Sequence, residues 1–317
     1  MLARLTARPR PATVRRLAVA SIVANSAIVV TGGAVRLTSS GLGCPTWPRC
    51  TDTSYTPTSE YAVHGVIEFG NRLLTFVLTA VVLATLVAVW RQRPIRPRMR
   101  RLAALVFLGI PAQAVLGGIT VLTGLNPWTV MGHFLLSMVL ITLAVVLHQR
   151  AREGDQPARP VVPLLMRRLT QGLLAVTAVT LALGTVVTGS GPHSGDPEAG
   201  RTGFDPATVS QLHADSVMLL VGLTIALYVA LRASSADPRL VRATGVLLVV
   251  ELAQGAIGYV QYFTGLPVLL VGAHLAGACL VLIAAAQVVL ATRERGALGA
   301  RPAEPREPAV PLSRQPV

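Results

Sequence analysis

The sequence predicts an all-α polytopic membrane protein, with eight transmembrane helices arranged as two parallel-repeat four-helix bundles. Three observations carry this. Hydrophobic residues make up 52% of the 317-residue chain and fall in long blocks rather than alternating with polar ones. The 28 basic residues are all arginine and gather in alternate connections between those blocks. Residues 113–133, QAVLGGITVLTGLNPWTVMGH, and 254–274, QGAIGYVQYFTGLPVLLVGAH, place Gln, Gly, Thr-Gly-Leu and His in one register.

Eight blocks follow in order, each long enough as a helix to cross about 30 Å of hydrocarbon at roughly 1.5 Å per residue. Helices are expected because they satisfy their own backbone polar groups in lipid. The first span, 17–36, ends in VVTGG and runs into a loop holding Cys44 and Cys50. The second, 61–90, carries VHGVIEFGNRLL, with His64, Glu68, Asn71 and Arg72. The third, 102–123, is punctuated by Gly109, Gly117 and Gly118, and the fourth, 129–148, holds His133 near its start. The fifth, 169–189, ends in VVTGS, the sixth, 209–231, carries His213, the seventh, 242–262, has Gly245, Gly255 and Gly258, and the eighth, 268–291, holds His274 and Cys279. The expected organisation is an N-terminal half at 1–148, a cytoplasmic linker at 149–168, a C-terminal half at 169–291 and a mobile cytoplasmic tail at 292–317, rich in Pro, Arg and Glu.

Charge placement orients the chain. In an eight-span arrangement 24 of the 28 arginines fall on one side, leaving Arg36, Arg49, Arg72 and Arg201 on the other. The positive-inside bias then puts both termini in the cytoplasm, with 37–60 and 190–208 outside the cell membrane. The net charge of +14 does not point to nucleic acid, because the arginines are divided among short loops and tails with no interleaved aromatics to stack bases. No signal peptide is evident, since the first block lacks a small-residue cleavage pattern and more spans follow.

Four helices separate equivalent positions of the repeat, and an even number preserves direction across the membrane. The halves are therefore expected as parallel repeats about an axis along the membrane normal. VVTGG and VVTGS are offset by 157 residues and the opening pair by 141, so the second half has the shorter first outer loop.

The histidines carry the candidate chemistry. His133, His213 and His274 lie roughly 6–10 Å below the outer interface, near the starts of even-numbered spans, with His64 slightly shallower. His148 and His193 stand apart. An ionisable residue inside a span marks a functional site by default, although a neutral imidazole satisfied by a carbonyl or hydroxyl is the plain alternative for any one of them. Two imidazoles facing across a porphyrin satisfy both axial positions of a haem iron. Zinc prefers more Cys, His or carboxylate ligands, and near His213 and His274 only Asp215 is on offer. In the first half the register places Asn71, not a histidine, opposite His213. His64 precedes Asn71 by seven residues, two turns along much the same face. That half can hold a ring between His64 and His133, or on His133 alone. Glu68 reads either as an ion pair with Arg72 at i+4, stapling its helix, or as an acid beside a reacting ring. Cys44 and Cys50 are compatible with an extracytoplasmic disulfide, structural or redox-active, or with two reduced thiols. Cys279 reads as a small core residue.

GGAVRLTSSGLGCPTWPRC, IEFGNRLL, QAVLGGITVLTGL, VVTGSGPHSG, QLHADS and TGLPVLLVGAH together resemble the haem A synthase family, in its order and over nearly the whole membrane region. The resemblance implies conversion of haem O to haem A, a ring methyl being oxidised to a formyl through a hydroxymethyl stage. It implies a b-type haem in the C-terminal half, ligated by His213 and His274, and a substrate site in the N-terminal half with His133 as a ligand and Glu68 as an acidic residue tied to activity. The outer cysteine pair of the family matches Cys44 and Cys50. Haem O synthase (protohaem farnesyltransferase) is then the expected supplier, terminal oxidase assembly machinery the consumer, and an unidentified electron partner completes the reaction. Many members have Glu-x-x-His-Arg where this chain has Glu68-Phe69-Gly70-Asn71-Arg72. Either His64 substitutes for that ligand, or Asn71 organises water or a haem edge and His133 is the sole protein ligand. The histidine layer by itself also fits a two-haem cytochrome b carrying electrons, or a haem-handling transporter or assembly scaffold.

Overall fold

The computed structural model describes residues 8–296. It contains eight long helices: α1 (Pro11–Leu37), α2 (Ala62–Arg91), α3 (Pro97–Leu122), α4 (Pro127–Arg152), α5 (Leu164–Ser190), α6 (Pro206–Ala233), α7 (Pro238–Phe263) and α8 (Val268–Ala291). All eight are long and apolar enough to cross a membrane. The protein is an all-α polytopic membrane protein. Large apolar side chains such as Phe76, Leu105, Val249 and Leu269 point outward, as lipid-facing residues do.

Local sequence explains where the helices begin and end. Five of them open on proline, which has no N–H to leave unpaired and is already held near helical φ. Asn126, Asp205 and Asp237 cap α4, α6 and α7 by accepting from the N–H groups of Trp128, Thr208 and Arg239. The repeated Thr-Gly-Leu is a helix stop. After α3, Gly124 (φ 61°) and Leu125 (φ 58°) turn left-handed and the Leu125 N–H donates back to the Thr120 carbonyl at 2.9 Å. After α7, Gly265 (φ 79°) and Leu266 (φ 61°) do the same, with Leu266 N–H donating to the Gln261 carbonyl at 2.7 Å. Glycine suits such a turn because it has no Cβ to clash.

The helices run further into the arginine-rich segments than the apolar blocks do. α1 begins at Pro11 instead of 17, α3 at Pro97 instead of 102, α5 at Leu164 instead of 169, and α4 continues to Arg152 instead of 148. Arginine is a good helix former, so a helix outlasts its hydrophobic stretch and carries its charged end into the interfacial layer. The linker thereby shortens to 153–163. The start of the expected tail is also structured: Arg293 and Glu294 pair antiparallel with Pro160 and Arg159, and Gly154 N–H donates to the Gly296 carbonyl at 2.8 Å. The rest of that tail, and residues 1–7, lie outside the described residues.

Each half closes on itself. α1 packs on α2, α2 on α3, α3 on α4 and α4 back on α1; α5 through α8 pack in the same cycle. The halves meet through α4 on α8, α1 on α8 and α4 on α5. Exchanging each helix for the one four places away leaves this pattern unchanged. The seam is filled by Val29, Met138, Ile141, Val145, Cys279, Leu282, Ala286 and Leu290, so Cys279 is a core residue. At the loop end Arg36 reaches across to donate to the Thr188 carbonyl at 2.7 Å, and Gly41 N–H donates to Gly195 at 2.9 Å.

Candidate functional site

Two sites share one construction. In α7 and α8, Gln254 Nε2 donates to the His274 carbonyl at 2.6 Å, and a Cβ at Gly258 would lie 3.1 Å from the His274 Cε1. In α3 and α4, Gln113 Nε2 donates to the His133 carbonyl at 3.0 Å, and a Cβ at Gly117 would lie 3.0 Å from the His133 Cε1. In both copies the glutamine fixes the backbone under the histidine, while the glycine one turn further along lets the imidazole edge rest on the neighbouring helix. His133 Nδ1 and His274 Nδ1 are both buried without a hydrogen-bond partner in the protein. A buried polar atom left this way is costly unless a ligand engages it.

The C-terminal site is a facing pair. The His213 ring on α6 and the His274 ring on α8 have centroids 6.4 Å apart, at an interplanar angle of 76°. Gly184 on α5 gives His213 its own smooth wall, a Cβ there lying 3.2 Å from Cε1. His213 Nδ1 donates to the Thr180 carbonyl at 3.1 Å, which fixes the tautomer and leaves the Nε2 lone pair for a metal. A metal bonded to one nitrogen of each ring at about 2.0–2.1 Å sets the centroids roughly 6 Å apart, a separation of the size seen here. Asp215 is exposed and bonded to Gln211 at 2.7 Å. Among the described residues no group of three or more His, Cys, Asp or Glu side chains is placed to hold a metal ion. The donor set is two imidazoles, which suits a metal whose remaining positions are filled by a macrocycle.

The N-terminal site has His133 and a different second wall. Asn71 Oδ1 accepts from Thr31 Oγ1 at 2.8 Å. His64 stands nearer the loop end, its Nδ1 2.9 Å from Ser40 Oγ. Glu68 is buried, and both of its oxygens are committed: Oε2 accepts from Cys44 N–H at 2.7 Å, and Oε1 accepts from Arg72 Nη2 at 2.5 Å and Nε at 3.1 Å. Arg72 then donates to the carbonyls of Cys44 (2.8 Å), Thr46 (3.1 Å) and Arg49 (3.1 Å). The pair is thus more than a staple within α2. It holds the loop closed by the Cys44–Cys50 disulfide onto the helix end. Trp47, carried by that loop, packs flat on Gly118, where a methyl group would collide with the ring. Gly118 follows Gly117, the glycine against His133, so the disulfide loop packs on α3 beside the stretch that seats that histidine.

Sequence reasoning singled out the histidines, Glu68, Arg72 and the cysteines, but passed over three residues. Along the chain Gln113 and Gln254 stand out only as markers of the repeat. Glu251, buried in α7 with Oε1 accepting from Thr224 Oγ1 at 3.0 Å and Oε2 unpartnered, was legible as a lone carboxylate within VVELAQ. His193 binds the Leu266 carbonyl at 2.9 Å, joining the second outer loop to the α7–α8 turn, and His148 lies near the arginine-rich end of α4.

The fold and the site define a polytopic membrane protein built from two four-helix bundles, one carrying a bis-imidazole site. The family model described as cytochrome oxidase assembly protein matches residues 15–193. That is more than half of the chain, which belongs to this family. Similar proteins include the heme A synthase of Symbiobacterium thermophilum, 32% identical over 178 residues, covering 52% of this chain and 57% of the relative. The heme A synthase of Bacillus pumilus is 31% identical over 170 residues, covering 50% and 54%, and that of Lysinibacillus sphaericus is 30% identical over 161 residues, covering 50% and 52%. The matches span about half the length of these curated relatives.

Proposed function

We propose that this protein is a haem A synthase, an oxidoreductase that converts the ring methyl of haem O to a formyl group and supplies haem A for terminal oxidase assembly. The observation that carries the reading is the asymmetry between two otherwise matching sites. Gln254, Gly258 and His274 are matched by Gln113, Gly117 and His133, yet only the C-terminal set faces a second imidazole, His213. One site is built for permanent ligation, the other for exchange and reaction.

A b-type haem held by His213 and His274 supplies the one-electron chemistry that side chains lack. The residues around it bind and orient. Gly184 and Gly258 keep the neighbouring helix faces smooth, and the Thr180 carbonyl holds the Nδ1 proton of His213. In the N-terminal half His133 ligates the substrate, haem O. His64 as a second imidazole, or Asn71 as a polar neighbour held by Thr31, stands on the α2 side. The disulfide loop, with Trp47 against Gly118, keeps water from the reacting edge. Glu68, tied to Cys44 N–H and Arg72, acts on the site by keeping that roof in place.

In this reading the arginine-rich end faces the cytoplasm, both termini lie there, and the disulfide loop is outside the cell membrane. Haem O synthase supplies the substrate, oxidase assembly machinery takes the product, and a separate partner exchanges electrons. The test is expression with haem O synthase in a strain lacking its own haem A synthase, followed by reversed-phase analysis of extracted haems. Haem A is expected; well-folded protein with haem O alone would overturn the proposal.

A further inference from the structure

At the arginine-rich end, opposite the histidines, an open cavity of about 570 Å³ lies between the start of α3, the end of α4 and the segment after α8. Its wall holds four guanidinium groups, Arg98, Arg101, Arg150 and Arg295, and one carboxylate, Asp155. That carboxylate is already committed, to Arg96 Nε at 2.9 Å and Arg150 Nη2 at 3.2 Å. Glu153 behind it takes Arg150 at 3.1 Å and Arg295 at 3.8 Å.

The charge does not balance. Arg98 and Arg101 are exposed, with no ion pair or side-chain hydrogen bond among the described residues. Arg96 Nη1 is buried with no hydrogen-bond partner. Burial first, then the nearby Arg150, Arg293 and Arg98, with only Glu153 acting the other way, hold the Arg295 guanidinium below its ordinary pKa. The amino terminus of α3 opens here without a side-chain cap, adding the positive end of a helix dipole.

Depth and flank indicate what the anion is attached to. The cavity lies where the apolar spans end, and Ile95 in its wall is half exposed. Nearby, exposed Trp90 has the Arg100 guanidinium 5.5 Å from its ring centroid. Tryptophan and arginine at such a level mark the headgroup layer, and basic pockets between spans at this level suit anionic headgroups. A free phosphate would gain nothing from the apolar flank. A phospholipid lays its acyl chains there.

We propose that this cavity binds the phosphate of an anionic phospholipid headgroup, with Arg98 and Arg101 as its free cationic contacts. The test uses the full chain in detergent, titrated with phosphatidylglycerol, phosphatidylcholine or inorganic phosphate and read by native mass spectrometry. The wild type is expected to prefer phosphatidylglycerol. R98A/R101A should lose about thirtyfold in that affinity, as two arginines near an anionic headgroup warrant, and R98K/R101K should retain most of it. Equal phosphatidylglycerol binding by wild type and R98A/R101A, or equal binding of the two lipids, would overturn the proposal. So would displacement of phosphatidylglycerol from the wild type by millimolar inorganic phosphate, which would make the site one for the free anion.

Discussion

The ring centroids of His213 and His274 lie 6.4 Å apart, a separation of the size that one metal atom shared by two imidazoles sets. Neither helix sets that distance alone. Gly184 on α5 and Gly258 on α7 each let a ring edge approach to where a β-carbon would crowd it, so four helices share in one spacing. His213→Ala and His274→Ala are each expected to yield folded protein that no longer retains a low-spin b-type haem after purification, as read from the reduced-minus-oxidised spectrum. An unchanged spectrum in either variant would remove that residue from the ligand set.

The glycines make a sharper test. A methyl at Gly258 meets His274 Cε1 at 3.1 Å, so the ring must yield by a few tenths of an ångström. Gly258→Ala should therefore keep haem but alter its electron paramagnetic resonance signature. Gly258→Val should lose it, with an overpacking cost of about 1–3 kcal/mol. Gly172, whose added Cβ would meet nothing within 4 Å, is the control: Gly172→Ala should change neither signal.

For the proposed conversion of haem O, activity identifies the second ligand in the N-terminal half. His133→Ala should abolish haem A in extracted membranes. If His64 is the partner ligand, His64→Ala should do the same, whereas Asn71→His should restore activity in that background by placing an imidazole opposite His133. Full haem A production by His64→Ala would show that His64 is not essential.

Arg72 supports three loop carbonyls and a buried carboxylate. Arg72→Ala takes a donor from all four, leaving Glu68 only the Cys44 N–H and the Arg49 carbonyl only the Thr46 hydroxyl, a loss on the order of 3–5 kcal/mol for a broken buried pair. The disulfide loop should then be released while the helices stay folded. Limited proteolysis in spheroplasts would read this as faster cleavage between Cys44 and Ser59, and cleavage at the wild-type rate would contradict the clamp.

Asp205 caps α6 in full contact with water. Its carboxyl is held below the usual carboxylate range by the Thr208 hydroxyl first and then by backbone N–H groups. A depressed folded pKa means the cap's contribution is complete above the unfolded value, about 3.9, and fades as pH falls through the folded one. Amide exchange at Thr208 should accordingly be slower in the wild type than in Asp205→Ala at neutral pH, with the difference vanishing under strong acid. A difference that persisted in strong acid would rule out the carboxylate as its source.

The sequence by itself determined the number of spans, their alternating arginine-rich connections, the repeated Gln, Thr-Gly-Leu and His, and the asymmetry at Asn71. Each of these is a local property, set by hydrophobic length, by turn chemistry or by register. Tertiary structure decided which residues meet. Glu68 and Arg72 read along the chain as an i, i+4 pair, but in space their remaining valences go to the backbone of a loop more than twenty residues earlier. Along the chain Gly117 and Gly258 only punctuate their helices and Gly184 does not stand out; the crossing of neighbouring helices turned all three into seats for imidazoles. Arg98, Arg150 and Arg295, dispersed over nearly 200 residues, became one basic cavity because the start of α3, the end of α4 and the segment after α8 lie at the same level. Contacts between helices depend on rotation and depth, and no single helix sequence encodes either.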